Sequence, residues 1–222
     1  MSELQATDYS LDVQAVIFSI GADNQYTMAD TSEHSSSGDS NIGYIKTSTG
    51  NYVSRQAEIV NPANVEIKGK SWVQSGVTIR GDAARIRMGR YCALSSGVVL
   101  EPALLVGGSG VSEQQQHVPL SIGSHTIIEA NARISAAAVG SYCWIGPNVT
   151  LGPRVIIKDG CIIDQGVSIG ADIVIPPFTR VSVQKNSLVL QQRELPPSTV
   201  QLLQEESMEN YQAFVGALKS GQ

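Results

Sequence analysis

Three histidines and three cysteines are the residues of this 222-residue chain best suited to ligating a metal or moving a proton. Zinc catalysis needs three protein ligands that hold the ion while a fourth position stays open for water. His34, His117 and His125 fall in a Ser-rich tract, a polar excursion and an outward repeat position, so they form no cluster. Cys92, Cys143 and Cys161 show no C-x-x-C or Cys/His spacing. No metal and no cofactor is expected. Acyl transfer needs a base to deprotonate the acceptor, and His117 is the one candidate. Its neighbours Ser112, Glu113, Gln114, Gln115 and Gln116 read as an ordinary solvated loop, so no catalytic residue is assigned.

The element that would position these residues is a six-residue rhythm. Counting in sixes from Ile122 gives Ile128 and Ile134; one step of five reaches Val139; then Ile145, Leu151, Ile157, Ile163, Ile169, Ile175 and Val181 fall in phase. Four residues after each lies a second inward position, held by Thr126, Ala132, Ala138, Cys143, Val149, Val155, Cys161, Val167, Ile173 and Thr179. Six residues suffice for one short strand and a corner, which makes the unit a β-solenoid rung rather than a helix pair or a propeller blade. Gly89, Gly123, Gly140, Gly146, Gly152 and Gly170 directly follow aliphatic positions, where a corner can demand unusual φ/ψ; Gly97, Gly160 and Gly166 mark the same corner two residues on. An earlier block reads through Ile59, Val65, Ser71 and Val77, then Met88, Leu94 and Leu100 after a slip. At three hexads per coil, about seven coils stacked at strand spacing make a prism roughly 35 Å long, with strand edges open at both ends. All three cysteines fall on the small inward row. Cys143 and Cys161, eighteen residues apart, stack at a distance a disulfide could span, yet they read as small thiols filling a core.

This divides the chain into an acidic, flexible extension over residues 1–43, a β-helix over 44–183 with an excursion at about 101–119, and a connector with a C-terminal helix over 184–222. The net charge of −5 hides an asymmetry: residues 1–43 hold seven acids and no Lys or Arg, while the rest holds thirteen acids against fifteen bases. No basic stripe suggests nucleic acid. No apolar run is long enough for a membrane span, and the start lacks the basic residues of a signal peptide, so a cytosolic protein without membrane insertion is expected. Inside the extension, the apolar stretch Ala15 to Ile20 is suited to pairing with a strand edge or docking as a short peptide.

From Pro197 the period becomes helical. Val200, Leu203, Tyr211, Phe214, Val215 and Leu218 trace one face, with Ser198 and Gln201 as a capping box. Two outward apolar ladders need a cover: Trp144 with Ile162, and Ile156 with Val174. The helix is expected along one of these faces, and a partner on any ladder left open. Arg80-Gly81-Asp82 reads as a charge pair at a corner or interface, with Arg85 and Arg87 adding a modest basic patch. The candidate partner-interface residues are thus Arg80, Asp82, Arg85, Arg87, Trp144, Ile162, Ile156 and Val174. The sequon Asn148-Val149-Thr150 lies inside a hexad and is discounted.

The hexads resemble those of left-handed parallel β-helices. Handedness rests on that resemblance, because parallel crossovers are otherwise right-handed in about 98% of cases. More specifically, Tyr44-Ile45-Lys46-Thr47-Ser48-Thr49-Gly50-Asn51-Tyr52-Val53-Ser54-Arg55-Gln56 resembles the opening of the dynactin subunit 5 family. Ile79 to Asp82, Arg87 to Cys92, Pro119 to Gly123, Ala138 to Gly146 and Val174 to Thr179 follow in order, so the resemblance covers about residues 44 to 218. The acidic extension and the Pro102 to His117 excursion depart from it. The resemblance implies a non-catalytic scaffold at the pointed end of dynactin. Its implied partners are a sister β-helix subunit, an actin-related protein, a zinc-bearing subunit, and dynein adaptors and cargo. The rival readings are enzymes of the same architecture. The γ-carbonic-anhydrase pattern would place Leu100, Ala130 and Ser135 where histidines must hold zinc, and a hexapeptide acyltransferase would depend on His117.

Overall fold

The computed structural model describes residues 43–105, 116–183 and 190–220. The extension with His34 and Ala15 to Ile20, and the excursion tip with Ser112 to Gln115, lie outside the described residues. Two-residue strands suffice here because each hexad gives one inward aliphatic and one outward neighbour before the chain must turn. Successive coils stack into three parallel sheets. Sheet A takes Tyr52–Ser54, Trp72–Val73, Ala93–Leu94, Ile127–Ile128, Trp144–Ile145, Ile162–Ile163 and Thr179–Val183. Sheet B runs over six strands from Glu58–Val60 to Ser168–Ile169, and sheet C over six from Val65–Gly69 to Val174–Ile175. Among the described residues the solenoid therefore has six complete coils and a seventh strand on sheet A alone, rather than seven coils. Tyr44–Lys46 and Leu190–Glu194 pair antiparallel with the two outer strands of sheet A.

The aliphatic row from Ile122 to Val181 is 0–4% exposed throughout, which confirms the register of the later coils. Two small-row residues depart from it. Ala136, fully buried, fills the inward place expected of Ala138, which instead stands outward on sheet C; the shortened step of five residues moves the corner back. Ile173 is 41% exposed because it belongs to the last coil of its face. The early block shifts further. The 3-10 turn Pro62–Asn64 inserts residues between sheets B and C, so the strand positions become Ile67, Val73 and Ile79, and Ser71 and Val77 take the small row. The next two passages from B to C, between Arg80 and Ile86 and between Leu100 and Leu120, are also lengthened. Among the described residues the extra chain thus gathers on one edge of the first three coils.

The glycines do two jobs rather than the single one expected. Gly97 and Gly166 do have the left-handed φ, 72° and 70°. Gly140 does not; a Cβ there would meet the backbone N of Asp159 at 2.7 Å, so close stacking of the next coil requires its smallness. The left-handed corner position comes three residues after most of the aliphatics and is often not glycine: Tyr91, His125 and Tyr142 have φ of 55°, 58° and 56°. Each such residue costs about 1–2 kcal/mol, which local packing must offset.

One corner has its own chemistry. Ser71, Cys92, Thr126, Cys143, Cys161 and Thr179 stack along it, all at most 5% exposed. Cys92 Sγ donates to Gly123 O at 3.0 Å, Thr126 Oγ1 to Gly140 O at 2.8 Å, Cys143 Sγ to Lys158 O at 3.2 Å and Cys161 Sγ to Pro176 O at 3.1 Å. The thiols therefore serve the carbonyls of the following coil as hydroxyls do. All three cysteines are free. Burial pushes the Cys92 thiol up to about 12 and raises that of Cys143 well above its ordinary value, which keeps each protonated as a donor.

Helix α1 (Ser198–Ser220) lies along sheet A. Its 23 residues give about 34 Å, enough to span seven strands at about 4.8 Å spacing. Leu203 and Phe214 are buried, with Tyr211, Val215 and Leu218 packed beside them. The capping box does not form as expected: Ser198 is already helical, and Gln201 Nε2 donates forward to Glu205 Oε1 at 2.9 Å.

Candidate interaction surfaces

The outward rows of the three sheets differ in chemistry. Sheet A presents Tyr52, Trp72, Ala93, Ile127, Trp144 and Ile162 in one continuous register. This ladder belongs to α1: Trp144 and Ile162 are 7% and 0% exposed, so their expected role as a partner surface is taken by the chain's own helix. Phe214 stacks on Trp72 with centroids 5.8 Å apart and meets Tyr44 and Tyr52 edge-on at 5.1 and 5.7 Å. Tyr211 Oη donates to Gly50 O at 2.8 Å.

His125 belongs to the same arrangement rather than to solvent. Its ring stacks between Tyr91 and Tyr142 at 5.0 and 5.2 Å, and its Nδ1 is 2.8 Å from the buried Ser207 Oγ of α1. Ser207 Oγ also donates to Gln204 O at 2.9 Å, and a hydroxyl has one proton. The chain of bonds therefore runs from His125 Nδ1–H to Ser207 Oγ to Gln204 O. Burial holds the imidazole below its ordinary value of 6.5. No sequence period pointed to this ladder, because Tyr91, His125 and Tyr142 are spaced irregularly across the excursion and the short step. Aromatic residues at the left-handed corner position were the available signal.

Sheet C remains open among the described residues. Its outward row reads Glu66, Arg87, Ser121, Ala138, Ile156 and Val174. It grades from charge at the first coils to an apolar stripe at the last, where Val174 is 53% exposed, Ile156 is partly covered and Ile173 adds to the patch. Arg85 Nη2 and Arg87 Nε share Glu66 Oε2 at 3.0 and 3.7 Å. At the edge between sheets B and C, Arg80 holds Asp82 through two bonds of 2.9 Å, and Glu101 is 3.8 Å from the same guanidinium. That guanidinium lowers the Asp82 carboxyl from its ordinary value. The pair is exposed, so water screens it. Sheet B is mainly polar outward, with Glu58, Thr78, Val99, Arg133, Thr150 and Ser168.

The first-coil end is a further surface. Sheet A is closed there by Tyr44–Lys46, whereas Glu58–Val60 and Val65–Gly69 end sheets B and C with no outer strand among the described residues. Ala57, Ile59, Val65 and Ile67 are only partly buried against the core. No group of three or more His, Cys, Asp or Glu among the described residues is placed to hold a metal ion. His117 bridges to Leu104 at the base of the excursion. No described helix is long and apolar enough to cross a membrane.

Comparison with known proteins gives three findings. The family model for dynactin subunit 5 matches residues 38–219. Dynactin subunit 5 of Dictyostelium discoideum is 32% identical over 98 residues, covering 44% of this chain and 48% of that protein, so the match spans about half the length of this curated relative. The crystal structure of a hexapeptide transferase family protein from Anaplasma phagocytophilum superposes with a TM-score of 0.53 at 15% identity, over 75% of this chain and 91% of that one. The last likeness shows the fold alone, a parallel β-solenoid of hexapeptide repeats.

Proposed function

The chain belongs to the dynactin subunit 5 family, and from that membership we infer that it is a non-catalytic structural subunit of the pointed-end complex of dynactin. The observation that carries this reading is the family match, which runs through the whole solenoid and α1. In this role the protein is a rigid scaffold, cytoplasmic and cytoskeleton-associated, that supports dynein-dependent transport and the engagement of adaptors and cargo. Its neighbours there are the sister β-helix subunit, the pointed-end actin-related protein and the zinc-bearing subunit. A close-packed solenoid suits such work, because stacked coils transmit force with little change of shape.

The side-chain chemistry supports the non-catalytic half of the reading. His125 is engaged in holding α1, and Leu100, Ala130 and Ser135 offer no imidazole for zinc. The surface assigned to partners is the open part of sheet C, with Ile156 and Val174 as its apolar anchors and Arg80, Asp82, Arg85 and Arg87 toward the first coils. The test is recovery of tagged chain from its own cells, with quantification of what accompanies it. Dynactin components are expected in fixed proportion, and Ile156→Asp combined with Val174→Asp should reduce their recovery several-fold without moving the melting temperature. Full recovery with the double variant would remove sheet C from the interface.

A further inference from the structure

The charge of the chain is divided along its length more sharply than the whole-chain value suggests. Residues 43–100, which build the first coils, hold eight Lys and Arg against three acids; residues 101–222 hold seven against ten. The 42 residues before Gly43 hold seven acids and no Lys or Arg. So the most acidic part of the sequence is tethered directly to the most basic part of the solenoid.

Geometry sharpens the match. Lys46, Arg55, Lys68, Lys70 and Arg90 are exposed around the first-coil end, and none has an ion-pair partner within 4.0 Å among the described residues. Lys70 Nζ instead donates to Tyr91 Oη at 2.8 Å, and Lys46 lies 5.7 Å from the Tyr52 ring centroid. The same end carries the two unpaired strand edges and the partly exposed Ile59, Val65 and Ile67. It thus offers hydrogen-bonding backbone, apolar surface and positive charge together, the three things an acidic segment with an apolar centre would satisfy.

We propose that this end is the docking site of the chain's own acidic extension, with Ala15 to Ile20 against the edges of sheets B and C and the flanking carboxylates against Lys46, Arg55, Lys68, Lys70 and Arg90. The tether's length allows it: 22 residues separate Ile20 from Gly43, and a flexible chain of that length has a root-mean-square reach of about 26 Å, more than the width of one sheet. The extension attaches at Gly43, beside the strand that already closes sheet A, so it starts at the correct end of the prism. Edge strands left bare tend to pair with other chains, and a covering segment within the same chain prevents that. A partner that uses this end must displace the extension, which gives assembly an electrostatic threshold.

Zero-length carbodiimide coupling of the full chain, which joins carboxylates to lysines in contact, tests this directly. Links from Asp8, Asp12 and Asp23 to Lys46, Lys68 or Lys70 are expected, at a yield unchanged on dilution and several-fold lower in about 1 M salt, where the screening length is about 3 Å. Asp39 is uninformative because it is close in sequence. Links found only between heavy and light copies would assign the end to a second molecule and overturn the proposal, as would their absence. A second readout is amide hydrogen exchange over Glu58–Val60 and Val65–Gly69 in the full chain. Ile17→Asp with Phe18→Asp should speed exchange there several-fold while the melting temperature stays fixed; equal rates in the two proteins would contradict docking.

Discussion

Cys92, Thr126, Cys143 and Cys161 show how one residue position sets its own chemistry: it must be small, buried and able to donate to the carbonyl of the next coil. Serine meets those demands and valine does not. Cys143→Ser should therefore melt close to the parent, whereas Cys143→Val leaves Lys158 O without its donor and should cost about 1–3 kcal/mol by urea unfolding. His125 carries a second prediction. Its folded imidazole titrates below 6.5, so just under that value the unfolded chain binds more protons, and stability falls as the pH drops through 6.5 and levels off below the folded value. The difference in unfolding free energy between parent and His125→Asn, measured from about pH 7.5 to 5, should narrow toward the acid side. A constant difference would mean that the ring titrates freely. The inward cysteines could be read from the sequence because the hexad count was secure around them. The role of His125 could not, since its partner Ser207 is 82 residues away.

Helix α1 and the solenoid are each incomplete alone. The helix presents Leu203 and Phe214, sheet A presents Tyr52, Trp72, Trp144 and Ile162, and each buries the other. Phe214→Ala should cost about 3–5 kcal/mol, because it empties a site walled by Tyr44, Tyr52 and Trp72 that cannot easily collapse. Loss of near-ultraviolet aromatic signal with far-ultraviolet strand signal retained would accompany it; an unchanged melting temperature would contradict the docking of α1. The strands from Ile122 to Val181 were legible because nothing interrupts the period but one step of five. The first coils were not, because inserted residues near Pro62, between Arg80 and Ile86, and in the excursion leave the repeat intact in space while breaking it in sequence. Periodicity likewise showed that α1 needed a face, but only the burial of Trp144 and Ile162 identifies which ladder it takes.

At the scale of the molecule the prism has one face closed by its own helix, a graded face that ends in Ile156 and Val174, a polar face, and a basic first-coil end. That distribution suits a part whose neighbours meet it on fixed surfaces, and the family relationship is to a subunit of dynactin. The solenoid was visible in the sequence as a rhythm; the assignment of its faces was not, since outward residues obey no period of their own. Electron cryomicroscopy of dynactin isolated through the tagged chain tests the central claim most directly. The account predicts density at the pointed end for a six-coil prism with a helix along one face. Recovery of the chain as a free self-trimer that turns over acetyl-CoA, with no dynactin attached, would contradict it.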